Sequence, residues 1–163
     1  TWDLASKVSL SSNGTILAIG APANDGNGTS SGNTRIFQYS VDSNSWSQLG
    51  SDIEGKTDLD FAGSAVSLSN DGLTVAIGEP RSNAWLNNNG CVSLYTYNTS
   101  TNNWDELRSL TTNRPSLIRV GESVSLSGDG SILAIGAPYT NEGAMEAGSA
   151  HIYKYDKVLL HGL

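Results

Sequence analysis

A short segment recurs three times along the chain, and this repeat constrains the fold more than any other feature. Its copies occupy residues 8–22 (VSLSSNGTILAIGAP), 66–80 (VSLSNDGLTVAIGEP) and 124–138 (VSLSGDGSILAIGAP), a spacing of 58 residues each time. The segments RIFQY, SLYTY and HIYKY, at 35, 93 and 151, keep the same spacing, as do Trp46 and Trp104. A fixed period that includes both apolar and turn residues is typical of repeat architectures.

Each copy begins with the pattern of a β-hairpin. Val8 and Leu10 alternate with serines, which is the period-two pattern of a strand. The turn dipeptides that follow are Asn13-Gly14, Asp71-Gly72 and Asp129-Gly130. They predict a type I′ turn with positive φ at both central residues. In the first copy we expect strands near 6–11, 15–20, 34–40 and 46–50, with segment 51–63 crossing to the next unit.

The second strand of each unit is apolar at successive positions, which is typical of a strand buried on both faces. A propeller blade meets this condition because it lies between two neighbours. Gly20 and its equivalents, Gly78 and Gly136, are each followed two residues later by proline and end this strand. The residues expected to be among the most buried are Ile16, Leu17, Ile19, Leu73, Val75, Ile77, Ile132, Leu133 and Ile135.

The sequence thus predicts an all-β fold built of β-propeller blades, as three tandem four-stranded antiparallel units. The expected divisions are blade 1 at 1–58, blade 2 at 59–116, an incomplete blade 3 at 117–156 and a divergent tail at 157–163. Propellers typically close with about four to eight blades. An open arc would expose apolar faces and strand edges. We therefore expect self-association or further blades outside this chain.

Each copy ends in a Gly-x-Pro motif: Gly20-Ala21-Pro22, Gly78-Glu79-Pro80 and Gly136-Ala137-Pro138. Phe61-Ala62-Gly63 adds a Phe-Gly pair with one residue inserted. The unit resembles the FG-GAP blade of integrin-α-type β-propellers, and this resemblance implies a propeller fold. The spacing of tyrosine and tryptophan is also similar to a kelch blade, which we rank second because the kelch double glycine is absent.

The resemblance does not carry over the calcium site of many FG-GAP blades. Calcium takes six to eight oxygen ligands, and the short first turn cannot wrap an ion. The loop at 23–32 is expected to be solvated, with a weak ion at Asn24-Asp25-Gly26-Asn27 as the alternative. We expect no metal and no cofactor.

Composition excludes several classes of function. The net charge of −7 disfavours nucleic acid, whose phosphates demand a basic surface. No apolar run of about 18 residues is present, so no membrane span is expected. The single cysteine, Cys91, is interpreted as a small buried strand residue, with intermolecular pairing as the alternative. The only histidines are His151 and His161, and no nucleophile elbow or phosphate loop occurs. We therefore expect no catalytic residues and no enzyme.

Three sequons, at Asn13, Asn27 and Asn98, fall in predicted turns or loops, where a glycan could be accommodated. They favour a secreted or cell-surface setting. The leading hypothesis is a non-enzymatic extracellular adhesion or interaction module, or a structural subunit of an extracellular assembly. Its expected partner is a protein or glycan at the cell surface. The alternative is a lectin-type propeller that binds carbohydrate through Trp85, Asn87, Asn88 and Asn89.

Overall fold

The computed structural model describes residues 5–82, 89–111, 119–140 and 147–155, and these residues form strands and connections without a helix. The described residues include no helix that could cross a membrane. The strands are β1 (Lys7–Leu10), β2 (Ile16–Ala21), β3 (Asn33–Ser40), β4 (Ser45–Gln48), β5 (Ile53–Glu54), β6 (Ala65–Leu68), β7 (Thr74–Glu79), β8 (Cys91–Asn98), β9 (Asn103–Thr111), β10 (Ser123–Leu126), β11 (Ile132–Ala137) and β12 (Ser149–Lys154).

The strands form three antiparallel sheets that follow the order of the sequence. The first sheet runs β1-β2-β3-β4, with β5 beside β3, and the second runs β6-β7-β8-β9. The third sheet contains β10-β11-β12 within the described residues. The strand β5 lies in segment 51–63, where the sequence predicted only a crossing, and pairs Ile53 with Thr34. The predicted all-β fold of antiparallel meanders is confirmed. The number of blades and their predicted bounds stay predictions.

Among the described residues, the second sheet has a neighbouring sheet on both faces, whereas the first and third sheets have one on a single face. Every residue of β7 is buried, whereas burial alternates along β2 and β11. One apolar cluster fills the space between the first and second sheets and includes Ile16, Ile36 and Ile77. Another lies between the second and third sheets and includes Val92 and Ile135. Burial on both faces, expected for every second strand, is therefore wrong for β2 and β11, each of which has a neighbouring sheet on one face.

The same geometry decides which residues predicted as core are buried. Leu17 and Ile19 are half-buried because they lie on the face of β2 away from the second sheet. Ile132 is 42% exposed on the outer face of β11, and Leu73 is 37% exposed because it precedes β7. The confirmed core residues are Ile16, Val75, Ile77, Leu133 and Ile135.

The first hairpin turn differs from the predicted type I′ geometry. Only the glycine has positive φ: +71° at Gly14, +72° at Gly72 and +71° at Gly130. Each glycine N–H donates to the carbonyl of the serine three residues earlier, at 2.8–3.0 Å. This pattern matches the hairpin in which a type I turn is followed by a left-handed residue.

A serine hydroxyl explains why this turn is preferred. Ser11 donates to Asn13 Oδ1 at 2.8 Å, and the backbone N–H of Ile16 donates to Ser11 Oγ at 2.9 Å. The other two copies make the same bonds with aspartate in place of asparagine. The Ser127 hydroxyl and the Ser131 backbone amide lower the pKa of exposed Asp129 to about 2. The side-chain oxygen thus acts as an Asx-turn acceptor.

Neighbouring sheets are joined along their first strands. The backbone N–H of Leu68 donates to Ser9 Oγ at 3.0 Å, and that of Leu126 donates to Ser67 Oγ at 2.9 Å. The hairpin turns also bond in series, from Ser12 N–H to Asn70 O at 3.0 Å and from Asn70 N–H to Gly128 O at 2.8 Å. All three turns therefore lie at one end of the sheets.

The glycines of the repeat meet where one sheet ends and the next begins. A Cβ atom on Gly20 would overlap the carbonyl oxygen of Gly63, and one on Gly78 would overlap that of Gly121. The N–H of Gly63 donates to Gly78 O at 3.2 Å. Glycine is needed here because any side chain would separate the two backbones.

Candidate functional site

Three loops of equal length connect the second and third strands of each sheet, at the end opposite the hairpin turns. They run over 24–32, 82–90 and 140–148, and one hydrogen bond closes each loop. Gly32 N–H donates to Asn24 O at 3.0 Å, Gly90 N–H to Ser82 O at 3.3 Å and Gly148 N–H to Thr140 O at 3.3 Å. Between these anchors the sequences are unrelated: DGNGTSS, NAWLNNN and NEGAMEA. A constant frame thus holds variable loop sequences.

The residues that anchor these loops are buried and polar. Asn24, Ser82 and Thr140 are 7%, 6% and 0% exposed. Because buried backbone groups need hydrogen-bond partners, such an anchor fixes both ends of the loop against the sheet. We call the surface formed by these anchors, their described loop residues and the adjoining connections the loop end.

The first loop is exposed at residues 25–27 and 29, as the sequence predicted, but its backbone is also bonded to the protein. Its backbone bonds to segment 55–62, for example from Leu59 N–H to Thr29 O at 2.8 Å and from Ala62 N–H to Ser31 O at 2.9 Å. Ser31 is fully buried. The crossing segment therefore supplies the partners that water would supply to an exposed loop.

The acidic and amide oxygens of this loop serve the backbone. Asn24 Oδ1 accepts from Gly26 N–H at 2.7 Å, and Asp25 Oδ1 accepts from Ser30 N–H at 2.8 Å. Asp58 Oδ1 accepts from Thr29 N–H at 3.1 Å. Across the described ranges, no group of three or more His, Cys, Asp or Glu residues is arranged to hold a metal ion.

Two arginine–aromatic pairs lie at the loop end, beside the loop anchors. The guanidinium carbon of Arg81 lies 4.7 Å from the ring centroid of Phe61, and that of Arg119 lies 4.7 Å from the ring of Tyr139. These positions are related by the 58-residue repeat with the partners exchanged: Phe61 corresponds to Arg119, and Arg81 to Tyr139. Tyr139 is 40% exposed. Both pairs are within cation–π range.

A buried carboxyl lies below the loop end, at the contact between the first and second sheets. Glu79 is 3% exposed, and the thiol of Cys91 donates to Glu79 Oε2 at 3.2 Å. Burial raises the pKa of the Glu79 carboxyl, although Ser93, Cys91 and Lys56 nearby act in the opposite direction. Burial likewise raises the pKa of the Cys91 thiol to about 12. The cysteine is buried, as predicted, and its thiol is held in the protonated form.

The sequon asparagines lie in turns and loops. Asn13 makes its hydrogen bonds through Oδ1, the atom that a glycan leaves unchanged. In contrast, Asn27 donates through Nδ2 to Gly55 O, and Asn98 donates through Nδ2 to Asp105 Oδ2, each at 2.8 Å. Of the three, Asn13 has the geometry that a glycan would disturb least.

The residues of the lectin hypothesis are only partly described. Trp85, Asn87 and Asn88 lie outside the described residues. Asn89 is half-buried, and its carbonyl accepts from Val120 N–H at 2.9 Å. His151 lies on β12 beside Ser149, with 2.9 Å between Ser149 Oγ and His151 Nε2.

The sequence analysis missed Glu79 and both arginine–aromatic pairs. Glu79 was visible only as the acidic residue in the second Gly-x-Pro motif, where the other copies have alanine. The exchange of arginine and aromatic residue between copies was also present in the sequence. It could not be recognised without knowing that positions 61 and 81 touch.

No protein-family model matches the chain, and no curated protein matches it in sequence. Solved structures do match. The periplasmic gluconolactonase PpgL of Pseudomonas aeruginosa aligns with a TM-score of 0.60 and 16% identity over 93% of this chain and 39% of its own. A putative 6-phosphogluconolactonase from Bacteroides uniformis gives 0.60 and 15%, over 93% and 36%. The C-terminal WD40 domain of Sif2 gives 0.53 and 15%, over 95% and 38%.

Two of these structures are described as lactonases, which contradicts the expectation that the chain is not an enzyme. That expectation rested on missing sequence motifs, and their absence does not exclude catalysis on a fold that enzymes also use. The chain spans less than two fifths of the length of these structures, and at this identity the likeness concerns the fold alone. The chain therefore has a β-propeller type of fold, as its repeat predicted.

Proposed function

We propose that the chain is an interaction module, or a structural subunit of an assembly, that recognises a protein partner through its loop end. The observation that carries this proposal is the repeated frame: the same buried anchor and the same hydrogen bond close three loops whose sequences differ. Binding residues are disproportionately found on loops that a rigid scaffold positions. Variable loops on a constant frame are what partner recognition requires.

The arginine–aromatic pairs support a protein partner. Arginine and aromatic residues are enriched at the energetic centres of protein interfaces. Stacking on Phe61 and Tyr139 limits the rotamers open to Arg81 and Arg119, so less side-chain entropy is lost when a partner binds.

We further propose an extracellular or cell-surface location, supported by the sequons, and a place among FG-GAP-type propellers, with a kelch-like blade as second choice. The contact between Gly20 and Gly63 supports the former assignment, because it gives the glycines of both signatures one shared role. The carbohydrate-binding alternative stays a hypothesis that rests on Trp85 and the asparagines beside it.

The test is binding of the recombinant chain to an array of secreted and cell-surface proteins, run beside a glycan array and a sugar-lactone hydrolysis assay. The double variant Arg81→Ala/Arg119→Ala should weaken protein binding at least tenfold. Asp42→Ala, in the exposed turn between β3 and β4 at the opposite end, is the matched control and should bind as the wild type does.

Each other outcome points to a different function. Glycan binding that is lost in Trp85→Ala would favour the lectin alternative. Lactone hydrolysis by the purified chain would favour an enzymatic function over an interaction module. Protein binding that falls equally in Asp42→Ala would show that the loop end is not the recognition surface.

A further inference from the structure

A cavity of about 310 Å³ opens between the second and third sheets, near their outer strands. Four of its lining residues are Leu107 and Leu110 from β9 and Tyr153 and Tyr155 from the third sheet. Leu107, Leu110 and both tyrosines are only partly buried and pack against the apolar cluster between the two sheets. The cavity lies far out on this interface and is separate from the loop end.

The corresponding space between the first and second sheets is filled by Trp104. Its side chain is 8% exposed, and its indole N–H donates to the carbonyl of Leu49 at 2.8 Å. The ring lies 5.3 Å from that of Tyr97, between centroids, in a tilted arrangement. Ile53 and Tyr95 belong to the same cluster. Trp104 thus closes the outer part of that interface from the fourth strand of its sheet.

The repeat relates the two sites residue by residue. Leu107 is 58 residues after Leu49, and Tyr153 and Tyr155 are 58 residues after Tyr95 and Tyr97. Leu110 pairs with Val92 in β8, as Ile53 pairs with Thr34 in β3, so these two side chains occupy the same place in their sheets. The cavity is therefore lined by the repeat equivalents of Leu49, Tyr95 and Tyr97 and by Leu110, which occupies the place of Ile53.

A strand edge lies beside this cavity. In the second sheet β9 pairs with the outer edge of β8, placing Trp104 opposite Tyr97 and Asp105 opposite Thr96. In the third sheet β12 is the last strand within the described residues, and its outer edge has no described partner. Within the described residues this edge is open, and an open sheet edge with side-chain pockets beside it is the arrangement used in β-strand addition.

The charged residues near the cavity indicate which side chain should follow the tryptophan in such a strand. Lys154 is exposed, lines the cavity and occupies the position of Thr96, so it would lie opposite the residue that follows the tryptophan. Arg108 also lines the cavity. In β9 the residues after Trp104 are Asp105 and Glu106. An acidic residue at this position would lie opposite Lys154, on the outer face of the third sheet, and pair with its ammonium group.

We propose that this cavity is the binding site for a β-strand of a partner polypeptide that carries a tryptophan followed by an acidic residue. The strand pairs with the edge of β12, its indole enters the cavity and donates to the carbonyl of Leu107, and its acidic residue lies opposite Lys154. The recognition site contains the four apolar residues and Lys154, and it does not depend on the loop end.

The test uses a synthetic peptide with the sequence of residues 101–110, TNNWDELRSL, and the full 163-residue chain. Isothermal titration measures its affinity, and NMR shift changes should include the rings of Tyr153 and Tyr155. Replacing the peptide tryptophan by alanine should weaken binding at least tenfold, since an indole supplies most of the buried apolar area.

A charge exchange tests the register. Lys154→Glu should weaken binding about two- to fivefold, as expected for an exposed ion pair, and a peptide with lysine in place of its aspartate should restore it. Lys7→Glu, an exposed lysine on β1, is the control and should change nothing. Absence of binding at millimolar peptide, equal affinity of the alanine peptide, or shift changes confined to the first sheet would each overturn the proposal.

Discussion

Three single variants, each with one of three equivalent isoleucines replaced by alanine, test which sheet faces are covered. Ile19, Ile77 and Ile135 occupy the same place in β2, β7 and β11. Ile77 and Ile135 are each 1% exposed, within the clusters between sheets, whereas Ile19 is half-buried on the outer face of the first sheet. The sequence context is nearly the same, so differences between the three variants report on packing alone.

Ile77→Ala should lower the free energy of unfolding by about 2–5 kcal/mol, because it removes buried methyl groups and leaves a cavity that the two sheets cannot collapse. Ile135→Ala should fall in the same range. Ile19→Ala should cost only about 1 kcal/mol, since a half-buried side chain loses about half of the roughly 0.8 kcal/mol per methylene of full burial and water fills the space.

Urea unfolding followed by tryptophan fluorescence gives the three values, because Trp104 is buried in the folded chain and becomes exposed on unfolding. Equal losses at Ile19 and Ile77 would refute the reasoning, because they would mean that the outer face of the first sheet is covered in solution. Repeating the measurement over a hundredfold range of concentration separates the causes, since cover by a second copy makes the loss at Ile19 depend on protein concentration.

Three further predictions concern the buried carboxyl, the turn glycines and the thiol. Burial raises the pKa of Glu79 above its ordinary value of 4.5, so its contribution to stability is present below pH 4.5 and is lost as the pH rises through the folded-state pKa. Glu79→Gln should abolish this decline in urea titrations over pH 4–8, and an unchanged pH profile would refute the assignment. In thermal melts, Gly14→Ala should lower the free energy of unfolding by about 1–2 kcal/mol, for its left-handed φ alone. Gly72→Ala should lower it further, because the added Cβ would lie 2.6 Å from Ile16 Cβ. Equal losses for the two variants would contradict this contact. Cys91 should react with Ellman's reagent only as fast as the protein opens, because its thiol is buried and protonated, and fast labelling of the native chain would contradict this.

The repeat predicted much of the fold, because period and turn signals depend on neighbouring residues. The strands begin and end within a few residues of the expected positions, and Gly14, Gly72 and Gly130 have the positive φ that their turns required. The turn type was wrong because the serine at the start of the turn, bonded to Asn13 or its equivalent, stabilises a different geometry. This side-chain competition is local to the turn, and the Asn-Gly dipeptide alone does not reveal it because the serine precedes that dipeptide.

The burial of individual side chains could not be predicted from the sequence, because it depends on which sheet faces pack against each other. Ile132 and Val75 both belong to apolar second strands, yet Ile132 is 42% exposed and Val75 is fully buried. Their difference comes from the neighbours of their sheets, which periodicity does not specify. Glu79 was missed for the same reason: a carboxylate is expected on the surface, and only the stacking of the sheets buries it.

The same interface between sheets occurs twice in the described structure. The outer face of the first sheet is equivalent to one side of this interface, and the outer face of the third sheet is equivalent to the other side. Leu17 and Ile19 on the first sheet correspond to Val75 and Ile77, which pack against the sheet before them. Ile132 on the third sheet corresponds to Thr74, which is buried. A further sheet placed on either face would therefore repeat contacts that the chain already makes. Ser9 and Gly20, whose equivalents join one sheet to the next, are identical in all copies, while the loops between the anchors differ.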